Sequence, residues 1–224
     1  MGSRDWPKPS GAEPYGNDAD QFAERFGDGP RVAALLHGGF WRAKYGCSLE
    51  HGVARDLAER GWTVWNVEYR RGHGWEAMSA DVCVALTKHA PEVVIGHSAG
   101  GHLALWALAE GLVGAAVSQA GVNDLRACDA LGLSNGAVRE LFGGPPPAEA
   151  DPAQRRPLPG RFLCVHGDRD DSVPVTMSTA FEGDPDSDVV VIEGEDHYAH
   201  LDASSRCWAA VLDWLAFAEA APSG

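Results

Sequence analysis

The chain has 224 residues, 45% of them hydrophobic, and a formal net charge of −14 at pH 7. This length favours one domain with a sizeable core over two domains, and the acidity argues against nucleic acids and acidic membranes, because both are polyanions. There is no apolar run of about 18 residues and no apolar segment typical of a signal peptide at residues 1–7, so we expect a cytoplasmic protein without a membrane partner.

The N-terminal third of the chain begins with a segment that has no periodicity. Residues 1–20 are rich in proline, glycine and aspartate, which predicts a flexible arm ahead of a single domain over residues 21–224. Alternating phenylalanines over residues 21–26 indicate an edge strand. Residues 31–36 form a short apolar run that predicts a strand buried on both faces, followed by a glycine loop.

Helical and strand patterns alternate through the rest of the chain. The predicted helices cover residues 49–60, 76–89 and 203–218, and the predicted strands cover residues 62–67, 113–118, 161–166 and 188–192. A further strand is predicted directly before Ser98 and a further helix directly after it. This alternation predicts an α/β fold with a mostly parallel, doubly wound sheet, whose ligands bind at the carboxyl ends of the strands.

Residues 124–160 interrupt the alternation. They contain a short helical pattern over residues 137–142 and then many prolines, too many for a regular helical connection. A long excursion of this kind predicts a short cap over the site. A surface loop without substrate contact is the alternative.

The sequence Gly96-His97-Ser98-Ala99-Gly100 lies between a predicted strand and a predicted helix. This context is typical of a nucleophile elbow, in which a sharp turn exposes a serine. A Cβ atom two places on either side would collide in such a turn, and the following helix would direct backbone N–H groups toward developing negative charge. Because the chain has 27 glycines, the pentapeptide alone is a weak signal, and an idle serine is the competing interpretation.

Two further stretches at strand ends offer partners for this serine. Residues 166–174 follow one predicted strand and residues 194–197 follow the next. A serine needs an imidazole to accept its proton, and the imidazole needs a carboxylate to orient it, so the order Ser98, Asp170, His197 predicts a catalytic triad. The competing residues are Asp168 and Asp171 for the acid, and His102 and His200 for the base.

These motifs resemble those of the α/β-hydrolase family over nearly the whole chain. The matching segments are His37-Gly38-Gly39-Phe40-Trp41, Gly96 to His102, His166-Gly167-x-x-Asp170-x-x-Val173-Pro174 and Gly194-x-x-His197. The first segment is similar to that of kynurenine formamidases and neighbouring esterases. The resemblance implies an α/β-hydrolase fold, favours Asp170 as the acid, and implies that Gly39 or Phe40, together with Ala99, supplies the oxyanion-hole amides.

Four aromatic residues are candidates for substrate binding, with core packing as an equal alternative for each. They are Trp41, Tyr69, Trp75 and Tyr198. We expect His37 to brace the glycine loop rather than to take a proton from the substrate. The five scattered cysteines predict neither a disulfide framework nor a zinc site.

The sequence therefore predicts a serine hydrolase that needs no cofactor or metal. It would cleave a small-molecule carboxylic ester or amide, with a short acyl group favoured, through an acyl-enzyme. An aryl formamidase and an acyl-peptide exopeptidase are alternatives within the enzyme class. A hydrolase-fold protein that only binds a ligand is the alternative from another class. The oligomeric state is left open.

Overall fold

We analysed a computed structural model, in which the backbone is described for residues 9–220 and the side chains for residues 9–216. A single eight-stranded sheet crosses this part of the chain, in the order β1-β2-β4-β3-β5-β6-β7-β8. The first two strands are antiparallel to their neighbours and the remaining six are parallel. The strands are β1 (Gly11–Pro14), β2 (Phe22–Phe26), β3 (Arg31–Leu36), β4 (Trp62–Val67), β5 (Val93–His97), β6 (Ala115–Gln119), β7 (Arg161–Gly167) and β8 (Ser187–Ile192).

Helices cover both faces of the sheet and bury two apolar clusters. The helices are α1 (His51–Glu59), α2 (Trp75–His89), α3 (Ala99–Ala109), α4 (Leu125–Ala130), α5 (Leu133–Phe142), α6 (Thr176–Thr179) and α7 (Arg206–Ala220). Helices α1 and α7 pack on one face, and α2 and α3 pack on the other. Residues 99–108 of α3 are all buried, as expected for a helix that is apolar on every side. Among the described residues, we find no helix with the length and apolarity needed to cross a bilayer.

The N-terminal segment differs from the expected arm. Residues 11–14 form β1, which pairs antiparallel with β2 and makes β1 the edge strand in place of the segment over residues 21–26. Nearby, Tyr15 donates a hydrogen bond from its hydroxyl to Glu68 O. All four residues of β1 are exposed, so their sequence lacks the apolar alternation that would have revealed a strand. Residues 1–8 of the expected arm lie outside the described part of the chain.

The excursion over residues 124–160 lies over the elbow helix, where His102 Nε2 lies 2.8 Å from Ala150 O and Arg155 Nη2 donates to Ala109 O at 2.8 Å. Within the excursion, the Asp151 carboxylate accepts hydrogen bonds from the Leu125 and Arg126 amides at 3.1 and 3.3 Å. The excursion contains α4, which the sequence analysis missed. Its second helix, α5, contains a kink, because residues 134–136 have left-handed backbone, and the regular helix after the kink coincides with the predicted pattern over residues 137–142.

Candidate active site

Ser98 occupies a strained turn between β5 and α3. Its backbone angles, φ 56° and ψ −117°, are sparsely populated for a residue with a side chain. Hydrogen bonds hold this conformation, because the Ser98 amide donates to Gln119 O at 2.8 Å and the Ser98 carbonyl accepts from the Gly101 amide at 2.9 Å. The turn therefore places the serine at the carboxyl edge of the parallel sheet, as expected for a nucleophile elbow.

The turn tolerates only glycine at two positions. A Cβ at Gly96 would collide with Gly100 O, and a Cβ at Gly100 would collide with Leu36 O. Both obstacles are backbone atoms, which cannot rotate away. The predicted requirement for glycine on either side of Ser98 is confirmed.

Asp170 and His197 meet at the ends of β7 and β8. His197 Nδ1 lies 2.6 Å from Asp170 Oδ2, and Asp170 Oδ1 accepts the Ser172 and Val173 amides, each at 2.8 Å. Burial tends to raise the pKa of the Asp170 carboxyl, but hydrogen bonds from His166 and His197 hold that pKa well below its usual range. An ionised Asp170 keeps the His197 proton on Nδ1, which leaves Nε2 to accept a proton.

The competing acids have other partners. Asp168 accepts a hydrogen bond from the Gly194 amide and so joins the turns after β7 and β8. Asp171 is exposed and accepts a hydrogen bond from the Ser172 hydroxyl at 3.2 Å. Asp170 is thus the carboxylate that contacts His197.

The two competing histidines, His102 and His200, are fully buried. His102 Nε2 donates a hydrogen bond to Ala150 O of the excursion. His200 is buried, its ring centroid lies 6.0 Å from that of His97, and neither of its ring nitrogens has a partner among the residues that the structure describes. His97 donates from Nε2 to His197 O at 2.8 Å, which holds the loop that carries His197.

Ser98 and His197 line the same cleft, which has a volume of about 220 Å³. In the described part of the chain, no hydrogen bond joins the Ser98 hydroxyl to the His197 ring. Such bonds are often long without substrate and shorten in the complex. The arrangement brings a serine, a histidine and an ionised carboxylate to one cleft, which is the set of groups needed for acyl transfer.

The loop after β3 lies beside this cleft. Gly39, Phe40 and Trp41 have successive positive φ values of 113°, 48° and 59°, and Gly39 and Phe40 line the cleft. Ala99 is the first residue of α3. Within residues 9–220, no hydrogen bond has the Phe40 or Ala99 amide as its donor. The Phe40 and Ala99 amides thus have no acceptor among the described residues, and their role in an oxyanion hole stays a prediction.

A buried polar network supports this loop from behind. His37 Nε2 lies 2.9 Å from Glu68 Oε1, and the same carboxylate accepts Arg71 Nη1 at 2.8 Å and the Cys47 amide at 2.9 Å. Burial tends to raise the pKa of Glu68, but the hydrogen bond from His37 and the neighbouring Arg71 hold it below its usual value. This contact agrees with the expected bracing role of His37.

Glu68 is a residue of this site that was not predicted from the sequence, although a signal was present. Glu68 directly follows the strand predicted over residues 62–67, and ligating or bracing side chains collect at strand ends in parallel sheets. The same rule had singled out Asp170. No motif accompanies Glu68, and its partner His37 lies 31 positions earlier in the chain.

Only one of the four aromatic candidates lines the cleft. Tyr198 does so and is 65% exposed. Trp41 is buried edge-on against His102, Tyr69 is stacked on His37 with its hydroxyl on His37 O, and Trp75 packs against Trp106 and Phe142. None of these three rings lines the cleft, because they pack in the layers beneath the glycine loop and the excursion.

Other residues of the cleft escaped the sequence analysis because they carry no motif. Two of them are Tyr45 and Leu49, in the segment before α1, and a third is Ser134 of the excursion. Arg42 holds Ser134 in place, with Nη1 2.9 Å from Ser134 Oγ and Nη2 2.8 Å from Glu140 Oε2. Through Ser134, the excursion contributes to the wall of the cleft.

Solved structures of similar fold include several esterases. A truncated carbohydrate esterase from gut microbiota aligns with a TM-score of 0.78 at 17% identity, covering 93% of this chain and 96% of that one. Esterase 2 of Thermogutta terrifontis with bound butyrate aligns with a TM-score of 0.74 at 20% identity, covering 98% of both chains. A putative thioesterase from Silicibacter aligns with a TM-score of 0.70 at 20% identity, covering 90% of this chain and 85% of that one.

These likenesses confirm the predicted α/β-hydrolase fold. The narrower resemblance to kynurenine formamidases stays a prediction. No curated protein matches the sequence. A family model, described as the prolyl oligopeptidase family, matches residues 85–220, which is more than half of the chain and includes Ser98, Asp170 and His197. The chain therefore belongs to the prolyl oligopeptidase family.

Proposed function

We propose that the protein is a serine esterase that removes short acyl groups from small-molecule carboxylic esters. The observation that carries this proposal is the 2.6 Å hydrogen bond between His197 Nδ1 and Asp170 Oδ2, made at the edge of the cleft that Ser98 also lines. The family membership and the esterases among the proteins of similar fold support the choice of reaction.

In this mechanism, Ser98 Oγ attacks the ester carbonyl while His197 Nε2 takes the hydroxyl proton. Asp170 stabilises the imidazolium that forms. The Ala99 amide and that of Gly39 or Phe40 donate hydrogen bonds to the oxyanion. His197 then gives its proton to the departing alcohol, and a water molecule activated by the same ring hydrolyses the acyl-enzyme.

Two other substrates fit specific observations. The ring of Tyr198, 5.4 Å from that of His197, suits a flat aromatic leaving group, which favours an aryl formamide as the second candidate. The name of the matched family favours an acyl-peptide, cleaved as by an exopeptidase. The same groups on Ser98, Asp170 and His197 would serve all three reactions, so the candidates differ in the acyl and leaving groups and not in the catalytic machinery.

The test has two parts. A fluorophosphonate probe should label the parent protein and not Ser98→Ala, because labelling needs an activated serine rather than a pocket. A panel of p-nitrophenyl acetate, N-formylkynurenine and an N-acetylated dipeptide then ranks the three substrates by kcat/KM. Failure of the probe to label the folded parent protein would favour the ligand-binding alternative.

A further inference from the structure

A second cavity lies behind the glycine loop. Its volume is about 70 Å³, and the residues around it include Phe40, Trp41, Ala137 and Leu141. Phe40 also lines the main cleft of about 220 Å³. Phe40 is therefore shared by the reaction cleft and the smaller cavity.

The inner part of the second cavity is apolar. Trp41, Ala137 and Leu141 are 2%, 2% and 7% exposed, and all belong to the apolar core on the α2 and α3 face of the sheet. Its outer part is bounded by the ion pair of Arg42 with Glu140 at 2.8 Å. The three apolar side chains offer contacts to a hydrocarbon chain, and the indole nitrogen of Trp41 has no partner in the described part of the chain. Gly72 and Gly74 also line the cavity.

The sheet order indicates which part of a substrate would reach Phe40. The leaving group must lie near His197, which protonates it and which follows β8. Phe40 follows β3, and β3 and β8 lie on opposite sides of β5, the strand that carries Ser98. The group beside Phe40 is therefore the acyl group rather than the alcohol.

We propose that the cavity behind Phe40 is an acyl-chain subsite that the Phe40 side chain closes off, so that Phe40 determines the longest acyl group that the enzyme accepts. This inference rests on the proposed esterase function. Because a molecule of liquid water occupies about 30 Å³, the cavity has room for about two methylene-sized groups. Removing the Phe40 ring adds its own volume to this space and joins it to the cleft.

The test compares kcat/KM for p-nitrophenyl acetate, butanoate, hexanoate and octanoate. Each methylene that becomes buried contributes roughly fourfold to kcat/KM. Phe40→Ala should therefore raise the ratio of hexanoate to acetate by at least about tenfold. The backbone amide of residue 40 remains in this variant, so hydrolysis of the acetate reports whether the oxyanion loop is intact.

Two further variants isolate the subsite. Leu49→Ala is the matched control, because Leu49 lines the cleft but not the second cavity, and its hexanoate-to-acetate ratio should stay within about threefold of the parent ratio. Adding Ala137→Leu to Phe40→Ala refills the cavity from behind and should abolish the gain. Phe40→Leu, which keeps a branched side chain over the core, serves if Phe40→Ala does not give a cooperative thermal transition; it should show a smaller gain of the same sign.

The outcomes separate the two proposals. A parent enzyme that hydrolyses the acetate, together with Phe40 variants whose chain-length profile matches the parent, would overturn the subsite while leaving the esterase standing. An equal shift in Leu49→Ala would also overturn it, because cleft size alone would then explain the profile. A parent protein that hydrolyses none of the esters would refute the proposed function first.

Discussion

Two buried histidine–carboxylate pairs stand on opposite sides of Ser98. At the ends of β3 and β4, His37 Nε2 lies 2.9 Å from Glu68 Oε1. At the ends of β7 and β8, His197 Nδ1 lies 2.6 Å from Asp170 Oδ2. Both carboxyls have a lowered pKa, because a hydrogen-bonded histidine outweighs the effect of burial. By composition and distance, the two pairs are close to equivalent.

The two pairs differ in the hydrogen bonding of the second ring nitrogen of the histidine. His37 is 0% exposed and its Nδ1 lies 2.8 Å from Gly38 O, so both of its nitrogens are occupied. His197 Nε2 has no hydrogen-bond partner among the described residues, and His197 lines the cleft. A histidine bound to a carboxylate can act as a base only when its other nitrogen is free and reaches substrate. The first pair therefore braces a loop, and the second can move a proton.

The largest expected effect concerns the serine between the two pairs. Ser98→Ala should lower kcat for p-nitrophenyl acetate by about 10⁴ to 10⁶, because the nucleophile is lost while the fold remains. Ser172→Ala, which removes another hydroxyl from the same cleft, should cost at most about tenfold. Steady-state kinetics with a circular-dichroism check of folding measure both. Activity of Ser98→Ala within tenfold of the parent would end the serine-hydrolase interpretation.

The next largest loss of activity is expected when the Asp170–His197 pair at the ends of β7 and β8 is altered. Asp170→Asn should lower kcat by about 10³ to 10⁴, because an amide leaves the His197 ring in the wrong tautomer. Asp168→Asn and Asp171→Asn should cost under about tenfold, since neither carboxylate contacts His197 and the side-chain amide oxygen introduced at position 168 can still accept the Gly194 hydrogen bond. If either variant loses as much activity as Asp170→Asn, the assignment of the acid is wrong.

A smaller loss of activity is expected when the His37–Glu68 pair at the ends of β3 and β4 is altered. Glu68→Gln weakens the support of the glycine loop, and displacement of the oxyanion amides should lower kcat by about 10². The pH profile of kcat/KM should keep the parental shape, because the proton acceptor is unchanged. A loss equal to that of Asp170→Asn, or a displaced pH profile, would show that the two pairs are functionally alike.

The smallest effect is on stability and comes from neutral histidines that surround Asp170. Burial, reinforced by the neighbouring His197, lowers the pKa of His97 to about 3, and burial together with His97 lowers the pKa of His200 well below its usual value. An unfolded histidine has a pKa of about 6.5. The stability that the neutral forms confer is therefore complete above that pH and is lost as the pH falls below it, because unfolding then takes up protons.

This loss can be measured by urea denaturation at pH 8, 6 and 5. The free energy of unfolding should fall with decreasing pH, by up to about 1.4 kcal/mol per pH unit for each such histidine. His200→Leu should reduce the slope by the share of one histidine, and His73→Gln, which alters an exposed histidine, should leave it unchanged. An unchanged slope in His200→Leu would contradict the argument.

Some residues of the site could be predicted from the sequence and others could not. The strand-end motifs brought Ser98, Asp170 and His197 to notice, and the structure places Asp170 against His197. The same reasoning passed over Glu68 and its partner Arg71, because no motif accompanies them. Aromatic residues were the weakest indicators of substrate binding. A tryptophan beside a glycine loop can point into a cleft or into the core, and Trp41 is buried in the core.

The sequence by itself determined the alternation of strands and helices, the glycine turn around Ser98 and the residues that stand at strand ends, because these depend on neighbours within a few positions. Tertiary structure alone decided that β1 completes the sheet, which histidine keeps a free nitrogen, and that Phe40 lines two cavities. Each of these depends on residues distant in the chain, such as Arg42 and Glu140, 98 positions apart. Local periodicity does not indicate such long-range contacts, because they form only when distant segments pack together.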